Sequence, residues 1–140
     1  MNKMNFFVVL FTLVLSTSIF SQEIDERLVK NKGEQAQSAF KYNTNAYNYL
    51  LFELDFGYQV VSKKELTKDE RKLVQRLPDL TGITEQLAVI GTDKFNYCTL
   101  GVSLKSKEKQ YFQLPNNQIL VLLPIAEITQ LFIKHPSNTK

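Results

Sequence analysis

Residues 34–57 read EQAQSAFKYNTNAYNYLLFELDFG, and this stretch decides the predicted fold. At about 100° per residue, its apolar side chains recur on one face, which is the pattern of a helix that packs against a core. The spacing therefore predicts one long central helix from Glu34 to Gly57. The predicted core face of this helix consists of Ala36, Phe40, Asn43, Tyr47, Leu50, Leu51 and Leu54.

The opposite face of the central helix carries aromatic rings where a solvent-facing helix usually carries charges. Two interpretations stay open: another helix covers these rings as a second half of the core, or the rings form a surface for a partner. Rings provide contact area at low entropy cost, and polar tips give direction. The candidate partner- or ligand-binding residues on this face are Tyr42, Asn45, Tyr49, Phe52 and Phe56.

The first 21 residues have the layout of a secretory signal peptide: Lys3, an apolar run from Phe6 to Leu15, and then small polar residues. This run is too short to cross a hydrocarbon core, which needs about 20 residues. We therefore expect cleavage after Ser21, export to the bacterial periplasm or the medium, and no membrane span in the mature chain. An uncleaved signal anchor is the alternative.

The remaining residues, 22–140, have the length of one ordinary domain. The chain holds 17 Lys and Arg against 14 Asp and Glu, and one of the basic residues, Lys3, belongs to the predicted leader. A mature net charge of only +2, together with export, argues against nucleic-acid binding. We expect the partner to be a protein or a small ligand in the cell envelope or outside the cell.

The segments on either side of the central helix have clear local signals. Residues 23–31 begin with acids that suit a helix N-terminus, which predicts a short lead-in helix. Residues 58–62 (YQVVS) are short and β-branched, which predicts an edge strand. Thr67 with Glu70 three residues later fits a capping box, and the helix that it opens is predicted to end at Leu77, just before a proline.

Residues 78–94 fit two structures. Apolar side chains from Ile83 to Ile90 recur at helical spacing, which favours a short helix, but the run LAVI fits a strand equally well. From residue 95 the pattern becomes that of strands. We predict strands at residues 95–105, 110–114 and 118–123 in a three-stranded antiparallel meander, with the third strand either covered on both faces or internal in the sheet.

A C-terminal helix is predicted to open at Pro124 and to end near His135, with residues 136–140 as a frayed tail. The fold class is therefore α+β: N-terminal helices, including one long central helix, then a three- to four-stranded antiparallel sheet, then a C-terminal helix. The side chains of the last helix that are predicted to face inward are Ile125, Ile128, Leu131 and Phe132.

Motifs for catalysis and cofactor binding are absent from the sequence. A catalytic triad or a Cys/His site would depend on the single histidine, His135, and the usual zinc sites need more His and Cys than the chain has. No glycine-rich phosphate motif occurs. We predict no catalytic residue, no metal site and no cofactor, although two distant carboxylates of a hydrolase could still converge.

The single cysteine, Cys98, cannot form an internal disulfide. On the predicted strand it shares a face with Leu100 and Val102, so we expect an inert, buried side chain. A reactive thiol is the alternative.

The predicted helix after Thr67 has a basic outer face. This face could contact an anionic surface such as a lipid head group or an acidic glycan. It could equally be an ordinary solvated face, since Asp69 and Glu70 in the same turn dilute the positive field. Its residues are Lys68, Arg71, Lys72 and Arg76, with Lys63 and Lys64 nearby.

These observations together predict an exported, non-catalytic domain that binds a protein partner or a small ligand in a cleft beside the central helix. An inhibitor or immunity-type protein, which blocks an exported enzyme or toxin, is the alternative. A periplasmic hydrolase is a third hypothesis, and the missing nucleophile and base weigh against it.

Overall fold

The computed structural model describes residues 23–135, so the predicted leader (1–21) and the predicted frayed tail (136–140) lie outside the described residues. The α+β prediction is confirmed: helices come first, then a four-stranded sheet, then a C-terminal helix. The elements are α1 (Glu26–Lys32), α2 (Glu34–Tyr42), α3 (Thr44–Phe56), β1 (Tyr58–Ser62), α4 (Lys68–Lys72), β2 (Val74–Arg76), α5 (Ile83–Ala88), β3 (Gln110–Gln113), β4 (Gln118–Leu122) and α6 (Ile125–Lys134).

The sheet has the order β1-β4-β3-β2. β4 pairs antiparallel with both β1 and β3, whereas β2 pairs parallel with β3. The edge position of β1 and the internal, buried position of β4 are confirmed. The antiparallel pairing of β3 with β4 in the predicted meander is confirmed. The rest of the meander is wrong, because residues 95–105 form no strand and β3 pairs instead with β2, in parallel.

The predicted central helix is divided at Asn43 into α2 and α3. Asn43 has φ −145°, and its side-chain Oδ1 accepts a hydrogen bond from the Ala46 amide at 3.0 Å. This is the geometry of an N-cap, so the asparagine ends one helix and starts the next. Asn43 is therefore exposed at a corner rather than on the core face, while Ala36, Tyr47 and Leu50 are buried as predicted.

The helix after Thr67 is shorter than predicted. Its capping box is confirmed, since the Glu70 amide donates to Thr67 Oγ1 and the Thr67 amide donates to Glu70 Oε2. The helix ends at Lys72, and Leu73, which follows it, is 57% exposed. Val74–Arg76 extends instead as β2, because pairing with β3 overrides the local helical pattern.

The strand predicted at residues 95–105 is also wrong. The segment contains a 3₁₀ helix, Tyr97–Leu100, which begins where Asn96 Oδ1 accepts from the Cys98 amide and ends at Gly101 with φ +74°. Its alternating apolar residues are buried because the loop passes through the core, not because it joins the sheet.

The short helix favoured within residues 78–94 is confirmed as α5. In α6, Ile128 and Phe132 face the core as predicted, but Leu131 is exposed. No helix between residues 23 and 135 combines the length and the apolar character needed to cross a membrane.

The core lies on both faces of β4. Leu120 and Leu122 pack into the main cluster with α1, α2 and α3, whereas Ile119 and Val121 pack on the other face with Leu66. A third cluster joins α6 to the end of α3 and consists of Phe52, Leu123, Ile128 and Phe132. The inner sides of α2 and α3 are thus fixed in the core, and α6 covers part of the outer side of α3.

Candidate functional site

The aromatic face predicted as a partner surface is divided by α6. Tyr49 and Phe52, in the middle of that face, both contact α6. The Tyr49 hydroxyl lies 3.1 Å from Thr129 Oγ1, and its ring packs edge-on against Phe132 at 5.3 Å between centroids. Phe52 is only 9% exposed. These two rings therefore belong mainly to the contact between α3 and α6.

The two ends of the aromatic face remain exposed on either side of α6. At the corner between α2 and α3, Tyr42 is 74% exposed and Asn45 is exposed. At the other end, Phe56 is 51% exposed, although its ring lies 4.6 Å from that of Phe52. The structure thus does not bring the five predicted residues into one patch.

A cleft of about 500 Å³ runs between α2 and α3. It extends from the corner at Asn43 toward the ends of α1 and α3. Tyr42 and Tyr49 line this cleft, and they are two of the five residues predicted to bind a partner or ligand. Its polar lining comes from Lys32, Gln35, Ser38, Tyr42, Asn43, Tyr49 and Glu53, and its apolar lining comes from Ala39, Ala46 and Leu50.

The cleft exists because the side chains that face each other across the α2–α3 pair are small. Ser38 and Ala39 on α2 lie opposite Ala46 on α3 in its lining. Since only Asn43 joins the two helices, they pack closely at the corner, and these short side chains do not fill the space between them.

One end of the cleft carries an ion pair. Lys32 Nζ, at the end of α1, lies 3.5 Å from Glu53 Oε1 on α3. The Glu53 side chain is only 12% exposed. The other end carries the Tyr42 ring, with Lys41 Nζ 4.9 Å from its centroid. The cleft therefore offers a cation, a carboxylate and hydroxyl groups around an apolar centre.

Sequence reasoning did not identify Lys32, Gln35 or Glu53 as site residues. On one continuous helix Lys32 and Gln35 would lie far from Glu53, and the corner at Asn43 is a break that allows all three to line one cleft. A partial sequence signal was available, because asparagine is among the residue types preferred at an N-cap.

The predicted basic face does not lie on one helix. Lys68, Arg71 and Lys72 are exposed on α4, and Arg76 is exposed on β2. Lys72 Nζ is paired with Asp69 at 2.8 Å. Arg71 donates hydrogen bonds to two backbone carbonyls, so its guanidinium is fixed against the backbone and does not move freely in solvent.

The carboxylates Asp25 and Asp55 converge on Arg27, whose side chain is 10% exposed. Burial alone would raise the pKa of Asp25, but hydrogen bonds from Arg27 and the charge of its guanidinium lower that pKa below its ordinary value. Burial would lower the pKa of Arg27, yet the two aspartates hold it above its ordinary value. This cluster therefore acts as a structural ion network that joins α1 to α3.

The thiol of Cys98 is half-buried in the described part of the chain, and burial raises its pKa to about 11. Such a thiol is a poor nucleophile at neutral pH. Among residues 23–135, no group of three or more His, Cys, Asp and Glu side chains could hold a metal ion.

Comparison of the chain with protein-family models, with curated proteins and with solved structures found no match.

Proposed function

We propose that this chain is an exported binding domain and that its ligand occupies the cleft between α2 and α3. The single observation that carries the proposal is the cleft itself, with an ion pair at one end and an exposed tyrosine at the other. Export rests on the leader pattern of residues 1–21.

The size and lining of the cleft favour a small ligand. Its volume of about 500 Å³ lies within the range of about 300–1,000 Å³ that is typical of small-molecule sites. A ligand with a flat apolar part would pack against Tyr42 and Ala46, and a polar end would reach Lys32 and Glu53. The proposed ligand class is therefore a small amphipathic molecule.

A protein partner is the second candidate function, and the exposure of Tyr42 favours it. This ring is 74% exposed beside the exposed amide of Asn45 at the corner. Exposed tyrosines are enriched at protein interfaces because one ring buries a large area and its hydroxyl fixes an orientation. An inhibitor of an exported enzyme would present such a corner to its target.

The experiment uses native mass spectrometry of the mature domain after incubation with an extract of the envelope of its native cell. The test variant Ser38→Trp places a large ring into the cleft. Gln37→Trp is the matched control, because Gln37 is exposed on the same helix but does not line the cleft. Circular dichroism checks that both variants keep the fold.

The proposal predicts a low-mass adduct on the wild type and on Gln37→Trp that is lost in Ser38→Trp. A stoichiometric adduct of protein mass that depends on Tyr42 would support the second candidate. An adduct that survives in Ser38→Trp, or no adduct on the wild type, would overturn the assignment of the cleft.

A further inference from the structure

A second cavity lies away from the α2–α3 cleft, where β1 ends and α4 begins. Its volume is about 270 Å³, and it is lined by Ser62, Lys63, Lys64, Arg71 and Asn117. Three of these five side chains are cations, and the other two offer a hydroxyl and an amide. A cavity of this size admits a small charged group rather than a large organic molecule.

Arg71 is held in a fixed orientation at this cavity. Its Nε donates to the Leu66 carbonyl and its Nη2 donates to the Lys64 carbonyl, each at 3.1 Å. A guanidinium has five N–H donors, so these two hydrogen bonds leave the others available. The same hydrogen bonds hold the segment from Lys64 to Leu66 against the Arg71 side chain. The guanidinium is thereby preorganised to bind an oxyanion without a further loss of side-chain entropy.

The carboxylates near this cavity bind groups other than the cavity's cations. Glu65 accepts from the Ser62 amide at 2.9 Å, and Asp69 pairs with Lys72. Glu70 accepts from the Thr67 amide and from the Tyr111 hydroxyl, and these hydrogen bonds lower the pKa of Glu70. Within residues 23–135, Lys63, Lys64 and Arg71 form no ion pair with a carboxylate.

The positive charge of the chain is concentrated at this place. Residues 62–76 carry six basic and three acidic side chains, a local charge of +3, which equals the formal net charge of the whole chain. Lys3 and Lys140 lie outside residues 23–135, so the rest of residues 23–135 carries a net charge of −2. A localised positive field beside a cavity raises the local concentration of anions.

We propose that this cavity is a binding site for a tetrahedral oxyanion, specifically a phosphate group, held by Arg71, Lys63 and Lys64 with hydrogen bonds from Ser62 and Asn117. Three cations in the lining suit a doubly charged tetrahedral group, and the N–H groups of Arg71 that do not bind the backbone are left to donate to its oxygens. The phosphate could be free inorganic phosphate or the phosphomonoester of a lipid head group.

The test is an NMR titration of the mature domain with inorganic phosphate at constant ionic strength, which separates specific binding from screening. The test variant is the double substitution Lys63→Gln/Lys64→Gln, because both lysines are exposed and their removal leaves the Arg71 hydrogen bonds to the backbone in place. Lys107→Gln is the matched control, since Lys107 is an exposed lysine that does not line this cavity.

We expect saturable shifts of the amides around residues 62–71, with affinity about fivefold or more weaker in the double variant and unchanged in Lys107→Gln. A second arm measures cosedimentation with phosphatidylcholine vesicles that contain phosphatidic acid. Vesicle binding without binding of free phosphate would assign the site to the head group. Linear, unsaturated shifts together with no vesicle binding, or equal losses in both variants, would overturn the proposal.

Discussion

We expect replacement of Arg27 to lower the stability of the fold through the loss of its polar contacts. Its guanidinium binds the Asp25 carboxylate through Nε and Nη2, contacts Asp55 Oδ1 at 2.9 Å, and donates through Nη1 to the Phe95 carbonyl at 3.0 Å. It therefore joins α1, the end of α3 and the loop before the 3₁₀ helix. Arg27→Met keeps most of the side-chain volume and removes only these polar contacts.

The expected loss of unfolding free energy in Arg27→Met depends on how deeply Asp25 and Asp55 are buried. Removing one partner of a buried ion pair typically costs about 3–5 kcal/mol, because the other charge is left uncompensated. Here the Asp25 and Asp55 side chains are 24% and 35% exposed, so water compensates them in part. We therefore expect a loss of about 2–4 kcal/mol in the free energy of unfolding, or about 8–16 °C in Tm for a domain of this size.

The assay is urea unfolding at neutral pH, with Arg76→Met as the matched control. Arg76 is exposed and makes no ion pair within the described residues, so its replacement should change the free energy of unfolding by less than about 0.5 kcal/mol. A loss below about 0.5 kcal/mol in Arg27→Met would refute the assignment of the network as structural.

The ion network of Asp25, Arg27 and Asp55 also predicts how the stability of the fold changes at acidic pH. The pKa of Asp25 is lower in the folded chain than its ordinary value of 3.8. Its contribution to stability is therefore fully present above that value and is lost as the pH falls through the folded-state pKa. Arg27→Met removes the cause of the shift, so the variant should lose less stability than the wild type between about pH 5 and pH 2. An identical acid dependence in the two proteins would contradict this explanation.

Three further predictions concern the core, the cysteine and export. Leu50→Ala should lower the free energy of unfolding in urea by about 2–5 kcal/mol, because Leu50 is buried. Leu73→Ala, at an exposed position, should lower it by less than about 0.5 kcal/mol. Equal losses in the two variants would show that α3 is wrongly oriented. The Cys98 thiol, whose pKa is raised from 9.0 to about 11, should react with iodoacetamide at pH 8 about a hundredfold more slowly than a free thiol; an equal rate would contradict burial. The protein isolated from its native cell should have an intact mass that begins at Gln22, and a mass that begins at Met1 would contradict export.

Some of the helical features could be predicted, because their signals are local. The core face of α3, the capping box at Thr67 and the opening of α6 after Pro124 each depend on residues within one or two turns. The internal position of β4 also followed from its unbroken apolar run, since a strand buried on both faces needs apolar residues at every position.

The sheet could not be predicted in full because its pairing depends on distant residues. Val74–Arg76 lies next to a helix in sequence, and only its parallel pairing with β3 makes it a strand. Likewise, the apolar alternation around Cys98 fits a strand, but Asn96 and Gly101 set a 3₁₀ helix there. In the first place a tertiary contact outweighs a local pattern, and in the second the local capping residues outweigh the apolar alternation.

The candidate site was predicted only in part for the same reason. Tyr42 and Tyr49 were selected as an aromatic face, and both line the cleft. The cleft depends on the corner at Asn43, which brings Lys32 to 3.5 Å from Glu53. Periodicity alone treats the two helices as one, so it places these charges far apart.

The proposed function depends on a ligand that occupies the cleft between α2 and α3. The most direct measurement is amide chemical-shift mapping of the isotope-labelled mature domain, with and without the ligand recovered from the envelope extract. We expect the largest shifts to fall on Gln35, Ser38, Tyr42 and Tyr49. Shifts that instead cluster around Phe56, or no shifts in the cleft at saturating ligand, would contradict it.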